Sequence, residues 1–399
     1  MGRDRSPTVV GMIRERDGHG RTDAGVRRRH SAAVILVAVV AMVLAGCADF
    51  TEQDRAKDAG TFSANNESMA IRQTPPPRSA PTETQPPPPP GPCVDPDPAV
   101  IATCLASTGG VRAGDDKGDV TTVAERTTGR IVTTKRYGPQ RVLGTVPVDS
   151  SGDGGLVDFA LSPTYAQDQL IYALVTTPSD NRIVRLAPGD VPKPILTGIP
   201  KGQTGNMGAM FFRTPRELVV ATGDAGNPAS AGDPGSLAGK VLLVTALGSG
   251  DNPRPRILAS GLGSNVSLCP SPTSGSLYIA DQAPAEDRIQ VLERSGLKPL
   301  WTWPDKPQIA GCAVSAGSIF VSTTRTQQIL GINEPTRQRP TISPPTVALE
   351  KRYGALGRMT ALENGLIQFA TVNRESGKPV STDDRVVKFF PPSASEDRT

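Results

Sequence analysis

The stretch Leu170-Ile171-Tyr172-Ala173-Leu174-Val175-Thr176 decides the class of fold, because it is a short apolar and β-branched run flanked by the turn residues Asp168 and Pro178. Runs of the same kind recur after Cys104, and Gly, Pro, Asp or Ser interrupts each of them before a helical pattern develops. Such runs predict strands, so we expect an all-β domain. Further examples are Glu217 to Thr222, Lys240 to Thr245, Ser276 to Ala280 and Ser318 to Thr323.

The strand-like runs are grouped into repeated units, each with an apolar strand, a turn, a stronger strand and a polar turn. Repeats of about 45 to 55 residues built from four strands are typical of propeller blades. Together with the stretch Val120 to Val148, the units predict a six-bladed β-propeller, and the last strand, Arg385 to Phe390, is a candidate to close the ring on the first blade. A β-sandwich is the alternative, but roughly 300 residues of evenly spaced strands is long for one. The units begin near Gly154, Gly205, Pro255, Ile309 and Gly354.

Residues 1–46 have the order of a bacterial lipoprotein signal. The basic cluster Arg27 to Arg29 precedes the apolar run Ala32 to Ala45, and small residues lead to Gly46 and Cys47. Basic, apolar and small residues in this order form a secretory signal. We therefore predict cleavage between Gly46 and Cys47, transfer of diacylglycerol to the Cys47 thiolate, and palmitate as a further lipid of the anchor. The apolar run is short for a membrane span, which weighs against the alternative of an uncleaved anchor.

Cleavage at Cys47 places the mature chain on the outer face of the cell membrane and changes its charge. Residues 1–46 contain eight of the 43 Lys and Arg residues and four of the 39 Asp and Glu residues, which leaves 35 of each sign. The two histidines, His19 and His30, are removed as well. A neutral chain without a basic stripe predicts no nucleic-acid partner. We expect a monomer attached to the membrane through Cys47.

Residues 47–92 are predicted to be a disordered tether, since they are polar, low in aromatic residues and rich in proline. Such a segment cannot bury enough apolar surface to fold. The runs Pro75 to Pro77 and Pro86 to Pro90 favour extended polyproline II, at about 3.1 Å per residue, which would hold the domain away from the membrane. A proline motif that binds a partner is the alternative. The propeller is assigned to residues 93–392 and a disordered tail to residues 393–399.

Four cysteines remain after Cys47, an even number in an oxidising compartment, where disulfides are expected. We predict Cys93 with Cys104, which are close in sequence, and Cys269 with Cys312, which lie in short apolar strands at similar places in adjacent repeats. The other two connectivities stay open. No metal site is predicted, because neither C-x-x-C spacing nor a histidine supports zinc.

Four groups of short segments follow one another along the chain: Glu125 to Ile131; Gly152 to Leu156 with Leu161-Ser162-Pro163 and Leu170-Ile171-Tyr172; Gly223 to Gly226 with Ser236 to Val241; and Thr371 to Arg374 with Asp383 to Val387. They resemble, in the same order, motifs of the glucose/sorbosone dehydrogenase family, including E-R-x-G-R-I, G-D-x-G and D-D-R-I. The resemblance implies a propeller of the quinoprotein glucose dehydrogenase type, which oxidises sugars with pyrroloquinoline quinone (PQQ).

The catalytic residues that the resemblance implies are a histidine and an aspartate. The histidine opens an H-x-x-G-R-L motif and takes the proton of the sugar's anomeric hydroxyl, while hydride passes to PQQ and the aspartate orients the histidine. Gly205 stands at the histidine position here, and Asp224 matches the aspartate. We therefore expect a degenerate catalytic site in which Asp224 caps a blade turn.

PQQ, with calcium, is the cofactor that the resemblance implies, and arginines would bind its carboxylates. The arginine of the H-x-x-G-R-L motif is Ala209, and the family's G-x-R-N-P segment reads Gly261-Leu262-Gly263-Ser264-Asn265, so both arginines are missing. We therefore name no expected cofactor, and PQQ with calcium stays the one that the resemblance implies. Residues that could line a remaining pocket, or else stabilise turns and blade edges, are Asn206, Asn265, Arg358, Asn373 and Arg374.

Two functions follow from these residues. The first is a non-catalytic propeller that binds an envelope glycan or protein; the alternative is a PQQ-dependent oxidoreductase for aldose sugars with a rearranged site. A calcium-dependent, lactonase-like hydrolase needs ring carboxylates, and Asp149, Asp153 and Asp158 suit a Gly-Asp turn better. The sequence after Cys47 contains no histidine for a serine triad, no G-x-S-x-G elbow and no P-loop.

Overall fold

The structure is a computed structural model that describes residues 88–248, 250 and 254–391. The predicted signal with Gly46 and Cys47, the predicted tether up to residue 87 and the predicted tail lie outside the described residues. Within the described ranges, no helix is both long enough and apolar enough to cross a membrane.

Six antiparallel sheets of four strands form six blades in the described part of the chain. Blade 1 contains β2 (Thr108–Ala113), β3 (Val120–Glu125), β4 (Arg130–Lys135) and β5 (Arg141–Thr145). Blade 2 contains β6 (Leu156–Leu161), β7 (Ile171–Thr176), β8 (Asn181–Leu186) and β9 (Lys193–Ile199). Blade 3 contains β10 (Ala209–Thr214), β11 (Glu217–Ala221), β12 (Lys240–Val244) and β13 (Arg256–Ser260).

The other three blades follow the same plan, except that blade 6 takes its outer strand from the start of the domain. Blade 4 contains β14 (Val266–Pro270), β15 (Leu277–Gln282), β16 (Asp287–Glu293) and β17 (Gly296–Trp303). Blade 5 contains β18 (Ile309–Ser315), β19 (Ser318–Thr323), β20 (Gln328–Asn333) and β21 (Thr346–Glu350). Blade 6 contains β22 (Leu356–Ala361), β23 (Ile367–Thr371), β24 (Val386–Phe389) and β1 (Val100–Ala102).

The first strands of the blades surround a central channel, because β2, β6, β10, β14, β18 and β22 each contact the first strands of both neighbouring blades. Three short helices lie in loops of the described residues: α1 (Tyr165–Asp168), α2 (Pro228–Gly232) and α3 (Asn373–Ser376). The predicted six-bladed propeller is therefore confirmed.

Neighbouring blades cover both faces of each sheet, which explains the apolar run that first predicted strands. All six residues of β7 are buried. Between blades 2 and 3, side chains from both sheets form one apolar cluster that includes Leu174, Ile183, Leu218 and Val220. Strands buried on both faces read as continuous apolar runs instead of alternating apolar and polar residues.

The ring closes differently from the prediction. The last strand, β24, does not pair with blade 1; it pairs with β1, in the register Val100 with Val387 and Ala102 with Val386. Blade 1 begins at Thr108, ahead of the predicted Val120. The sequence did not predict β1, because this strand has only three residues and follows Pro96 and Pro98.

The repeat that was expected to begin near Pro255 begins later in the structure. Residues from Arg256 to Ser260 form β13, the outer strand of blade 3, and blade 4 begins only at Val266. The outer strand of one blade leads into the first strand of the next, so an apolar run near a repeat boundary fits either role.

Both predicted disulfides are confirmed. Cys93 and Cys104, 5.3 Å apart at Cα, join the two sides of β1. Cys269 on β14 and Cys312 on β18, 5.7 Å apart at Cα, connect the first strands of blades 4 and 5. The second bond therefore adds a covalent link between two blades.

Candidate functional site

One end of the channel is formed by the segments that precede the first strands and by the loops that follow the second strands. A cavity of about 180 Å³ lies there, and we call it the Asn265 mouth. Ten of its fourteen lining residues have polar side chains, namely Thr108, Arg126, Asp153, Ser264, Asn265, Gln282, Thr324, Arg358, Glu375 and Ser376, and the others are Met207, Ala310, Gly357 and Val372.

Gly205, at the position of the expected histidine, has no room for a side chain. Its backbone adopts a positive φ of 77°, which L side chains rarely adopt. A Cβ at this position would lie 2.3 Å from the backbone N of Gly226 and 2.4 Å from Oδ1 of Asp224. The loop is also fixed from the other side, since the N–H of Gly205 donates to Asp153 Oδ2 at 2.7 Å.

Asp224 closes the turn that occupies this space. It is 3% exposed, and its Oδ1 accepts the N–H of Gly226 at 2.9 Å, as in an Asx turn. Burial, with the nearby charges of Asp153 and Asp281, raises the pKa of Asp224. The carboxylate stabilises a loop here, and the described structure offers it no base to orient.

The second missing arginine is also excluded by backbone packing. A Cβ at Gly263 would lie 1.8 Å from the carbonyl oxygen of Gln282. The N–H of Gly263 donates to Asp281 Oδ2 at 2.8 Å, and Asp281 is itself ion-paired with Arg288. Ala209, at the position of the first missing arginine, is 6% exposed on β10.

Arg126 is a cation that the sequence reasoning did not assign to the mouth. Its guanidinium forms an ion pair with Glu375 and donates to the carbonyl of Gly154. Arg126 belongs to the segment Glu125 to Ile131, which the sequence analysis identified as a family motif. Its partner Glu375 lies 249 residues further along the chain, and no local pattern indicated that contact. Both charges are used in holding the loops of blades 1 and 6 together.

Arg358 crosses the channel and ties several blades together. Its guanidinium donates to the carbonyls of Val266 at 2.7 Å, Ala310 at 2.9 Å and Gly208 at 2.9 Å, and also to Ser267 Oγ. Burial lowers its pKa to about 10, so it remains charged at neutral pH. These contacts use Nη1 and Nη2 of the guanidinium, whereas Nε has no hydrogen-bond partner.

Two of the five predicted pocket residues, Asn265 and Arg358, line the Asn265 mouth. Each has a buried atom without a hydrogen-bond partner, namely Asn265 Oδ1 and Arg358 Nε. Asn206 instead fixes a loop, because its Nδ2 donates to Asp153 Oδ1 at 2.6 Å and its Oδ1 accepts from Asn181 at 3.0 Å.

Asn373 and Arg374 are bound within blade 6. The Nδ2 of Asn373 donates to the carbonyl of Tyr353 at 2.8 Å, and the Nε of Arg374 donates to the carbonyl of Asp383 at 2.8 Å. Neither lies in the described lining of the mouth, which takes the next residues along, Glu375 and Ser376. The sequence therefore located the correct segment but not the residues that line the cavity.

The comparisons with known proteins agree with this geometry. Residues 111–321, more than half of the chain, match the sequence model of the family described as Glucose / Sorbosone dehydrogenase. The chain belongs to the glucose/sorbosone dehydrogenase family. An aldose sugar dehydrogenase of Escherichia coli strain K12 is 25% identical over 222 residues, which cover 43% of this chain and 60% of that relative. The match therefore spans about three fifths of the relative's length.

Solved structures of the family share the fold. The PQQ-bound aldose sugar dehydrogenase of Streptomyces coelicolor is 27% identical, covers 72% of this chain and 95% of its own, and superposes with a TM-score of 0.64. A protein of Thermus thermophilus described as an oxidoreductase (glucose dehydrogenase) is 26% identical, covers 72% and 97%, and has a TM-score of 0.63.

The residues of this member of the glucose/sorbosone dehydrogenase family do not fit PQQ. The mouth, at about 180 Å³, is smaller than the roughly 300 Å³ at which small-molecule pockets begin. Its cations, Arg126 and Arg358, are bound by Glu375 and by backbone carbonyls. Asp149, Asp153 and Asp158 have separate partners, and the described residues contain no group of three or more His, Cys, Asp or Glu placed to hold a metal ion.

Asp384, in the family's D-D-R segment, is a buried carboxyl of blade 6. It is fully buried, and its Oδ1 accepts the N–H groups of Asn373 at 2.7 Å and Arg374 at 3.3 Å. Burial, together with the charge of Asp383, raises its pKa from 3.8 to about 7. Between these two values the folded chain retains a proton that the unfolded chain releases.

Asp384→Asn is expected to change how stability depends on pH. Because the folded-state pKa is raised, the free energy of unfolding falls as pH rises, by about 2 kcal/mol between about pH 5.5 and 7. The variant lacks this contribution, so its free energy of unfolding changes less steeply with pH. Denaturant titrations at several pH values measure both slopes. The exposed Asp116→Asn is the control, and equal slopes in wild type and Asp384→Asn would contradict the prediction.

Proposed function

We propose that this protein is a lipid-anchored protein of the cell envelope whose propeller has lost the dehydrogenase chemistry of its family and acts as a binding module. The observation that carries the proposal is the turn around Gly205, in which Asp224 and Gly226 occupy the space of the family's histidine. Without that histidine, no positioned base takes the proton of a sugar hydroxyl.

The acidic residues of the Asn265 mouth do not replace the base. Asp153 accepts N–H groups from Gly205 and from both the backbone and the side chain of Asn206. Glu375 is paired with Arg126. Each carboxylate is already bound by cations or N–H donors that would have to be released before it accepted a substrate proton.

The ligand suited to this mouth is a single sugar unit of an envelope glycan, which is smaller than PQQ. Side-chain amides and hydroxyls of the lining offer both donors and acceptors, as the hydroxyls of a sugar require. Asn265 Oδ1 is buried and unpartnered, and an unmade hydrogen bond at a buried acceptor costs about 1 to 3 kcal/mol, which a ligand hydroxyl would recover.

The full chain is expected neither to bind PQQ with calcium nor to reduce an artificial acceptor with aldoses, whereas the Escherichia coli relative serves as the active control. Gly205→His is expected to lower stability without restoring activity, because the added side chain meets backbone atoms. Gly232→His is the matched control, since no atom lies within 4 Å of its Cβ position. Cofactor absorbance and acceptor reduction are measured; tight PQQ binding with turnover would refute the loss of chemistry.

Asn265→Leu is expected to weaken retention of soluble fragments of the cell's own envelope polysaccharide on the immobilised full chain, by about fivefold or more. Asn333→Leu, on the exposed end of β20, is the matched control. Binding is measured by surface plasmon resonance. If the wild type retains no fragment, or if both variants bind equally, the mouth does not bind a glycan.

Lipid attachment at Cys47 is tested separately. Cells grown with radioactive palmitate are expected to label the wild-type chain, and Cys47→Ala is expected to abolish the label and release the chain from the membrane fraction. The double variant Cys93→Ala with Cys104→Ala keeps the label. Label that persists in Cys47→Ala would place the anchor elsewhere.

A further inference from the structure

A second cavity lies at the other end of the channel. Its volume is about 320 Å³, and we call it the Met359 mouth. The two mouths are lined by opposite ends of the same strands: Asn265 precedes β14 at the first mouth, whereas Pro270 and Ser271, at its end, line the second. Arg358 lines both cavities and separates them.

The wall of the Met359 mouth is largely apolar. Met210 and Phe211 of β10, Leu268 of β14 and Met359 with Leu362 of blade 6 contribute to it. Met210 and Met359 are buried, whereas Phe211, Leu268 and Leu362 are half-buried and therefore accessible from the cavity. Methionine and aromatic side chains adapt to an apolar ligand of irregular shape.

Charged residues form the floor of this cavity. Arg112 binds both oxygens of Asp158 at 3.0 Å, and Asp158 Oδ2 also accepts the N–H of Met210 at 2.8 Å. Asp158 is 3% exposed at its side chain, but Arg112 is 26% exposed and faces the cavity. Gly110 permits the pair, because a Cβ there would lie 1.8 Å from Asp158 Oδ1.

The floor, formed by Arg112, Asp158 and Arg358, has one more positive charge than negative, and the other charged residue of the lining, Glu363, is exposed. Arg112 and Asp158 neutralise each other, whereas the contacts of Arg358 are to neutral acceptors, the carbonyls of Val266, Ala310 and Gly208 and the hydroxyl of Ser267. A buried charge without a counter-ion is costly. An anion at the floor would reduce this cost.

We infer that the Met359 mouth binds an apolar monocarboxylate, whose carboxylate lies beside the accessible Arg112 and is attracted by the charge of Arg358, and whose hydrocarbon part packs on Met210, Phe211, Leu268 and Met359. The volume of about 320 Å³ is at the small end of ligand pockets, which suits a medium-length chain. The inference is independent of the proposed function, because it concerns the opposite end of the channel.

The experiment titrates the full chain, carrying Cys47→Ser to prevent acylation, with octanoate by isothermal calorimetry. Octanol and octylamine, which have the same chain length, test the need for negative charge. We expect octanoate to bind at least about tenfold more tightly than either of them. Equal binding of octanol would overturn the inference by showing that the cavity is only apolar, and absence of octanoate binding would overturn it outright.

Two variants change the charge of the floor in opposite directions. Arg112→Gln removes one positive charge and is expected to weaken octanoate binding about tenfold, whereas Asp158→Asn removes the negative charge and is expected to strengthen it. Octanol affinity should change little in either variant. An octanoate affinity that does not follow this order would overturn the inference.

A third variant keeps the test valid if the floor variants fail to fold. Ala361, half-buried in the wall, can be replaced by Phe, which fills the cavity without altering the charges. Octanoate binding is expected to fall at least about tenfold, while Val191→Phe, at a position 71% exposed, leaves it unchanged. Unchanged binding in Ala361→Phe would place octanoate outside the Met359 mouth.

Discussion

The pairing of β1 with β24 is the contact on which the rest of the propeller depends. Without it, blade 6 would be a three-stranded sheet with an open edge. The two ends of the domain are also joined by polar contacts, since Asp95 accepts from Arg385 at 3.1 Å and from Thr382 at 3.0 Å. Because every blade is packed between two others, closure at this one seam fixes the positions of all six first strands and therefore the shape of the channel.

Within the closed ring, close backbone packing decides which positions near the channel can carry a side chain. Gly205 and Gly263 both approach other backbone segments so closely that no Cβ fits. Arg358 then fills the middle of the channel and divides it into two cavities of different character. One is small and polar, and the other is larger, mainly apolar and positively charged at its floor. The family's fold is retained, whereas the positions of its histidine and of its second arginine have no room for a side chain.

The sequence predicted the features that depend on local patterns. Continuous apolar runs identified strands buried on both faces, and the placement of Cys269 and Cys312 in adjacent repeats identified their bond. It did not predict contacts between distant segments, such as Arg112 with Asp158, which are 46 residues apart. An amide such as Asn373 gives no local sign of whether it fixes a loop or faces a cavity, which is why only Asn265 and Arg358 of the five candidate residues lie in the lining of the Asn265 mouth.

The disulfide between Cys93 and Cys104 has a mechanical consequence under the attachment at Cys47 that we propose. It encloses β1 in a covalent loop with a sequence separation of 11. Tension applied before Cys93 is transmitted through the sulfur atoms to Cys104, so the enclosed strand carries none of the load. Pulling on the N-terminal segment therefore cannot peel β1 from β24, and the seam of the ring is shielded from force by a bond outside the sheet.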